Sequence, residues 1–127
     1  MRAGRAVVVL AAHGSRASEA NEAHVAMAAA LRDALDGAAD VVPAFLELAE
    51  PSIGVAIDQV AGAGAARVIV VAHFLYPGRH VTEHVPEIVA AAAARHPEIQ
   101  VELAGASGSA PEMVGLLAGL ARAALSG

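Results

Sequence analysis

AVVVLAAHGSR, residues 6–16, is an apolar run that ends abruptly in a histidine, a glycine, a serine and an arginine. The residues from Val7 to Leu10 are typical of a strand buried on both faces of a sheet. Gly14 lets the backbone turn sharply, so His13 should stand at the carboxyl end of a central strand. Ligands bind at that end of the strands in open α/β sheets. The stretch therefore predicts both a central strand and a candidate functional histidine.

Strand-like and helix-like segments alternate along the rest of the chain. Strands are predicted at 6–12, 41–47, 67–74 and 99–105. Helices are predicted from Ser18 to Leu35, from Pro51 to Gly64, in a third segment that ends near Arg95, and from Pro111 to about Ala124. Ser18 is the predicted cap of the first helix. Pro43 suggests that the second strand lies at a sheet edge. The last helix is expected to point four side chains into the core: Met113, Leu116, Leu117 and Leu120.

Four βα units predict the fold class. Consecutive βα units form a parallel sheet with right-handed crossovers. The usual flavodoxin-like order places strand one between strands two and three. We therefore expect residues 1–127 to form a single α/β domain, with a four-stranded parallel sheet flanked by helices.

Three side chains that bind metals or move protons should meet at one rim of this sheet. His13 leaves strand one, Glu47 ends strand two, and the loop after strand three carries His80. Imidazole suits cobalt, nickel, iron and zinc. The alternative is that both histidines bond to backbone and that Glu47 is a solvated strand end or a helix cap. Their convergence favours a site.

The other histidines carry weaker expectations. His73 lies inside the predicted third strand and is typical of a core histidine with satisfied hydrogen bonds. His84 follows His80 by four residues, which would place both on one helix face. His24 and His96 are predicted to be surface residues.

The composition and the missing motifs exclude several classes of function. The net charge is −5 and all eight basic residues are arginine, which argues against a general nucleic-acid binder. The absence of cysteine excludes disulfides, thiolate ligands and thiol nucleophiles. No run approaches the ~20 apolar residues of a membrane span, and the short run after Arg5 is better explained as a strand than as a signal peptide. The sequence lacks the motifs that identify dinucleotide-binding folds, P-loop nucleotide sites, the nucleophile turn of α/β-hydrolases and zinc proteases.

Three segments in order carry a family resemblance. They are AAHGSR at 11–16, AFLELAEPSI at 44–53 and FLYPGRHVTEHVPE at 74–87. Together they resemble the small class II tetrapyrrole chelatases, the short sirohydrochlorin cobaltochelatases and their iron- and nickel-inserting relatives. The resemblance implies a chelatase half-domain that pairs as a cytoplasmic homodimer in cobalamin or siroheme biosynthesis. It also implies sirohydrochlorin as substrate, no permanently bound cofactor, and cobalt, or else iron or nickel, as the inserted ion.

The resemblance also assigns residues. It implies that His13 and His80 bind the metal and take part in catalysis, and that Glu47 is the acidic residue of the same rim. Residues beside them are expected to hold the substrate: Gly14, Ser15, Arg16 and Arg79. The two arginines should pair with substrate carboxylates, and the alternative is that they pair with Glu19 and Glu83.

The chain departs from the family pattern at three places. His84 stands where the family commonly has an aspartate, His73 lies near a position that is often apolar, and Ala110 precedes Pro111 where a histidine is frequent. These departures concern the choice of metal more than the fold, and His73 and His84 could supply additional ligands.

Two other functions fit parts of the sequence. The main alternative is a non-catalytic protein on the same fold that binds or delivers a divalent metal. A histidine phosphatase also uses His-Gly after a first strand, but its phosphate pocket needs an arginine just before the histidine, and Ala12 stands there.

Overall fold

The computed structural model describes residues 4–127, except for the side chain of His80, so residues 1–3 of the predicted domain lie outside the described residues. Strands and helices alternate along it: β1 (Ala6–Ala12), α1 (Ser18–Ala34), β2 (Asp40–Phe45), α2 (Ile53–Gly62), β3 (Arg67–Ala72), α3 (Arg79–Arg95), β4 (Gln100–Ala106), a 3-10 turn (Ser107–Ser109) and α4 (Glu112–Leu125). This α/β alternation confirms the predicted fold class.

The four strands form one parallel sheet in the order β2-β1-β3-β4. β1 lies between β2 and β3, and Val9 pairs with Val42 on one side and with Val70 on the other. Pro43 lies opposite Leu10 on the edge strand β2, where its lack of an N–H interrupts no hydrogen bond between strands. The predicted strand order and the edge position of Pro43 are therefore confirmed.

Several predicted boundaries are wrong by one to two residues. β2 ends at Phe45 rather than at Glu47, where the N–H of Phe45 bonds to Pro51 O at 2.9 Å across the following turn. β3 ends at Ala72, so His73 lies beyond it. At the start of α1, Ala17 occupies the cap position and no side chain caps the helix, so Ser18 is its first residue instead of its cap.

The main core lies between the sheet and the helices α2 and α3. Its largest fully buried side chains are Ile53, Ile57, Val7, Val9, Val68 and Val70. The other face of the sheet carries a smaller core under α1, formed by Val8, Leu10, Ala28, Ala39 and Val41. β1 is thus buried on both faces, as its valine run predicts.

The fourth helix does not pack as the sequence predicts. No residue of α4 is buried, and Leu116, Leu117 and Leu120 are 57%, 56% and 63% exposed. Met113 is only half-buried. Within the described chain, α4 contacts mainly the 3-10 turn before it, because it leaves that turn away from the sheet. The expectation that these four side chains point into the core of their own chain is wrong.

None of the helices in residues 4–127 is long and apolar enough to cross a membrane.

Candidate functional site

The loops that follow β1 and β2 bring a histidine and a carboxylate together. His13 Nε2 lies 3.3 Å from Glu47 Oε1, and the two side chains are 51% and 58% exposed. Both stand at the carboxyl edge of the sheet, next to each other because β1 and β2 are neighbours. Sequence reasoning predicted that His13, Glu47 and His80 meet at this rim, and the structure shows the first two of them as an open, solvated pair.

Backbone contacts between the two loops hold this pair in place. The N–H of Leu46 donates to Ala12 O at 2.8 Å, and the N–H of Glu47 donates to His13 O at 3.0 Å. Gly14 has a φ of 95°, and a Cβ atom at this position would stand 1.8 Å from Glu47 O. Glycine is required here for two independent reasons, the positive φ and the close approach.

A side chain that sequence reasoning missed clamps the His-Gly-Ser-Arg loop onto α1. Asn21 Oδ1 accepts from the Ser15 N–H at 3.0 Å, and Asn21 Nδ2 donates to Ser15 O at 2.8 Å. Ser15 Oγ in turn accepts from the Ala17 N–H at 3.0 Å. The available signal was an asparagine in the first turns of a helix that has no capping side chain.

The first turn of α3 supplies the other predicted site residues. Arg79 opens this helix, its side chain is 92% exposed, and its Nε donates to Glu83 Oε1 at 3.2 Å. His80 follows it in the helix, but its side chain lies outside the described atoms. Arg16 is exposed, and within residues 4–127 no hydrogen bond or ion pair joins it to Glu19 or to another side chain.

α3 continues through Pro86, so His80 and His84 do share one helix and a spacing of four residues. His84 Nδ1 lies 3.8 Å from Glu87 Oε2, and its side chain is 44% exposed.

His73 lies on the opposite side of the sheet from the main core. Side chains alternate along a strand, and Ala72 is buried toward α2 and α3, so His73 points toward α1. Its Nδ1 lies 2.8 Å from Ser107 Oγ, and its ring stacks on that of His24 with centroids 6.2 Å apart and planes 14° apart. His73 therefore has structural partners, although it lies just after the strand and not within it.

Two histidines predicted to lie on the surface are held in contacts. His24 is 6% exposed, its Nε2 lies 2.8 Å from Leu10 O, and its ring meets the Phe45 ring edge-on at 5.2 Å. Burial lowers the pKa of His24 from its ordinary value. The side chain of His96 is only 19% exposed, and its hydrogen bond to Asp58 at 2.6 Å lowers the pKa of that carboxyl.

The described side chains do not by themselves make up a metal site. In residues 4–127, with the His80 side chain left aside, no group of three His, Asp or Glu side chains could hold a metal ion. His13 and Glu47 offer one nitrogen and one oxygen ligand, a donor set that suits a borderline divalent ion. A complete site needs at least one more ligand, and the remaining residue that the sequence predicts for it, His80, belongs to the first turn of α3.

Replacing Gly14 with alanine should separate the cost of the close approach to Glu47 O from ordinary backbone strain at a positive φ. We expect Gly14→Ala to lower the free energy of unfolding by about 1–3 kcal/mol more than Gly37→Ala does. Gly37 has a similar φ of 86° but open space around its Cβ position, so it controls for the backbone term. Urea unfolding measures both variants, and equal losses would show that the approach of Glu47 O costs nothing.

His24 should make stability depend on pH. Because burial holds its pKa below the ordinary 6.5, the unfolded chain takes up a proton near that pH while the native chain resists it. Stability should therefore fall as pH drops below about 6.5. In His24→Gln, whose amide can still donate to Leu10 O, the loss between about pH 7.5 and about pH 5 should be smaller. Urea unfolding at both pH values tests this, and an unchanged pH slope would contradict it.

The sequence of this chain is similar to that of known proteins. The family profile of CbiX matches residues 7–124. The chloroplastic sirohydrochlorin ferrochelatase of Arabidopsis thaliana is 38% identical over 86 residues, which cover 68% of this chain but 38% of that protein. The chain thus spans well under half the length of this curated relative.

Three solved structures share the fold. A CbiX protein from Marinobacter aquaeolei VT8, named for cobalamin (vitamin B12) biosynthesis, has a TM-score of 0.81 at 26% identity, covering 95% of this chain and 98% of that one. The sirohydrochlorin chelatase SirB from Bacillus subtilis subspecies spizizenii, in complex with cobalt, has a TM-score of 0.65 at 29% identity, with 80% and 42% covered. SirB from Bacillus subtilis with Fe3+ has a TM-score of 0.72 at 25% identity, with 87% and 44% covered. The profile match over most of the sequence confirms the resemblance to the class II tetrapyrrole chelatases: the chain belongs to the CbiX family.

Proposed function

We propose that this chain is a sirohydrochlorin chelatase that inserts a divalent metal, cobalt in the first instance, into its tetrapyrrole. The metal is then a substrate and not a resident cofactor. The observation that carries the proposal is the His13–Glu47 pair, 3.3 Å apart on the carboxyl edge of a CbiX-family sheet. The names of the relatives add support, since one inserts iron and another is a sirohydrochlorin chelatase seen with cobalt.

The separation of the two atoms suits a shared ion. Nitrogen and oxygen ligands stand about 2.0–2.2 Å from a borderline divalent ion. With Nε2 of His13 and Oε1 of Glu47 3.3 Å apart, an ion at that distance from both would subtend an angle of about 105°, close to tetrahedral. We infer that His80 adds a third ligand from the first turn of α3.

Metal insertion must also remove two protons, because a divalent ion replaces the hydrogens of two pyrrole nitrogens. Imidazole and carboxylate are the groups that most often accept protons in active sites near neutral pH. His13 Nε2 and Glu47 Oε1 each lose a ligand bond when the ion moves to the macrocycle, and each then has a free electron pair for a proton. The same two atoms can thus serve as metal ligands and as bases.

Arg16 and Arg79 offer positive charge for a negatively charged substrate. The expected substrate is a polycarboxylate, and a chain with a net charge of −5 repels it at long range. Arg16 and the highly exposed Arg79 place positive charge beside the predicted metal ligands, where guanidinium groups can pair with substrate carboxylates. Ser15 Oγ accepts one bond from the Ala17 N–H and keeps its own hydrogen for a substrate oxygen. In this proposal Gly14 serves the substrate by keeping that loop close to the sheet.

Apolar surface adjoins the same rim. Leu75 and Tyr76 precede α3 and are 56% and 95% exposed. A cavity of about 250 Å³ lies between the sheet and the start of α3, lined by apolar residues that include Phe74, Val81 and Val85. Such surface is suited to the flat face of a macrocycle while its carboxylates reach the arginines.

We further propose that the active form is a cytoplasmic homodimer. The SirB chains are covered only to 42% and 44% by this chain, so two copies together would match the length of one such relative. A single copy leaves His13 and Glu47 about half exposed, and a second copy can enclose the substrate between two surfaces.

The chelation reaction has a direct readout. Anaerobic incubation with sirohydrochlorin and cobalt, iron or nickel should change the visible spectrum, fastest with cobalt. His13→Ala, His80→Ala and Glu47→Gln should each slow this change by about 100-fold or more, the scale of a lost ligand or base. Glu22→Gln, an exposed carboxylate on α1, is the matched control and should keep the parent rate.

A metal-delivery protein would give a different result in the same assay. It would bind cobalt in calorimetry and leave the spectrum of the tetrapyrrole unchanged. Full activity in the His13 and His80 variants would instead remove these residues from the mechanism.

Arg79 should act on the tetrapyrrole and not on the metal. A charge-assisted contact contributes about 1.5–3 kcal/mol, so Arg79→Ala should raise the dissociation constant of the tetrapyrrole by about one to two powers of ten. Cobalt affinity should stay unchanged or improve slightly. Arg32→Ala, an exposed arginine on α1, controls for net charge. Calorimetry with each ligand alone decides, and loss of cobalt binding with retained tetrapyrrole binding would place Arg79 in the metal site.

A further inference from the structure

Leu48, in the loop after β2, adopts a backbone conformation that its residue type rarely takes. Its φ is 67°, in the left-handed region. Among residues 4–127 only one other non-glycine residue has a positive φ, Asp36, and aspartate enters this region more readily than most residue types. A leucine side chain has no oxygen or nitrogen with which to form a compensating local hydrogen bond. Leu48 therefore holds a strained conformation.

The loop that carries Leu48 needs a turn at this place. At the start of the loop, the N–H of Glu47 donates to His13 O at 3.0 Å, and at its end Pro51 O accepts from the N–H of Phe45 at 2.9 Å. The chain must therefore reverse its direction between Glu47 and Pro51. Glycine or asparagine would make the same turn with less strain. The turn explains the φ at position 48 but does not explain why a leucine stands there.

Burial within its own chain does not explain the leucine either. Leu48 is 53% exposed, and among the described residues it belongs to neither hydrophobic core. Apolar surface that stays in water gives no hydrophobic stabilisation, so little offsets the backbone strain. Strained residues cluster at functional sites and at contacts with ligands. The conformation and the exposure of Leu48 together point to a contact outside its own chain.

The place of Leu48 at the rim of the sheet indicates which ligand it contacts. Leu48 follows Glu47, whose Oε1 lies 3.3 Å from His13 Nε2. On the other side of β1, the segment that leaves β3 carries Leu75 and Tyr76, which are 56% and 95% exposed. Exposed apolar side chains therefore flank the polar loop after β1 on both sides.

The distance between these two flanks suits a flat ring system. Adjacent strands lie about 4.8 Å apart, so the ends of β2 and β3 stand about 10 Å apart with β1 between them. This distance is comparable with the breadth of a macrocycle of four pyrroles, whose faces are apolar and whose carboxylates project from its periphery. Such a macrocycle can contact apolar side chains at its margins while its central nitrogens stand at the His13–Glu47 pair.

We propose that Leu48 is a substrate-contacting residue that packs on the apolar face of the tetrapyrrole beside the metal pair. The inference rests on the proposed chelatase function and adds a residue to its binding site. The exposed part of the leucine leaves water only when the macrocycle binds. Complex formation thus supplies the hydrophobic stabilisation that the free chain does not gain from this side chain.

Two substitutions separate the apolar contact from the turn. Leu48→Asn nearly keeps the size of the side chain and tolerates a positive φ, but it removes the apolar character. Leu48→Met is the matched control, because it keeps the apolar character. We expect Leu48→Asn to raise the KM for the tetrapyrrole about 10-fold, the scale of a partly buried leucine. Leu48→Met should keep the KM of the parent.

Three further measurements distinguish a substrate contact from a purely structural role. A contact with an unreactive part of the substrate acts equally on the bound substrate and the transition state, so Leu48→Asn should keep the kcat of the parent. Its affinity for cobalt in calorimetry should also be unchanged. Its midpoint in urea should equal or exceed that of the parent, because asparagine relieves the strain. If Leu48 only shaped the loop of Glu47, kcat and cobalt affinity would fall instead.

Val25→Thr controls for the loss of an exposed apolar group elsewhere, since Val25 on α1 is 50% exposed, and it should keep the KM of the parent. An unchanged KM in Leu48→Asn overturns the inference. If that variant also sediments as a smaller species than the parent, Leu48 lies in a contact between copies. A parent that binds the tetrapyrrole without inserting metal counts against the chelatase function, and the dissociation constant of the tetrapyrrole then tests Leu48 in place of KM. A parent that does not bind the tetrapyrrole overturns both.

Discussion

Two backbone hydrogen bonds between the loops after β1 and β2 determine the geometry of the candidate site. They run from Leu46 N–H to Ala12 O and from Glu47 N–H to His13 O, and they exist because the two strands are parallel neighbours. Gly14 permits this approach because a side chain there would overlap Glu47 O. A carboxylate carried by a free loop would lose side-chain and backbone entropy whenever it approached the histidine. Here the backbone part of this cost is met during folding, so the two residues are neighbours before any ligand arrives.

Much of this arrangement follows from sequence patterns whose physical basis is local. The valine run of β1 predicts a strand buried on both faces, and Pro43 predicts an edge, since a missing N–H is tolerated there. Parallel crossovers then bring the ends of β1 and β2 to one rim. The end of β2 was not predictable from such patterns, because it depends on a bond from Phe45 N–H to Pro51 O across a turn. The Asn21 clamp on Ser15 depends in the same way on contacts between segments.

His24 was predicted to be exposed and is buried, whereas the apolar side of α4 was predicted to be buried and is exposed. Both errors have the same cause. Periodicity reports which side of a helix is apolar, but it does not report what covers that side. His24 lies on the sheet-facing side of α1, where Leu10 O accepts its ring N–H and makes a buried polar side chain tolerable. The apolar side of α4 is as regular as the sequence suggests, but no residue of α4 is buried within residues 4–127. A single sequence thus shows that a helix is amphipathic without showing whether its own chain covers the apolar side.

The His13–Glu47 pair also explains how one site could both hold and release a cation. Nδ1 of His13 lies 3.3 Å from Gly14 O, so a neutral ring that donates there turns the lone pair of Nε2 toward Glu47. In that tautomer the Nε2 lone pair and the carboxylate oxygen repel at this distance, and a cation placed between them removes the repulsion. A proton or a metal ion can each supply that charge. In the proposed reaction the departing metal leaves the pair in need of a proton, and the pyrrole nitrogens that receive the metal have protons to give. The exchange keeps the charge between Nε2 and Oε1 positive at both ends of the reaction, so neither state requires the loops to separate.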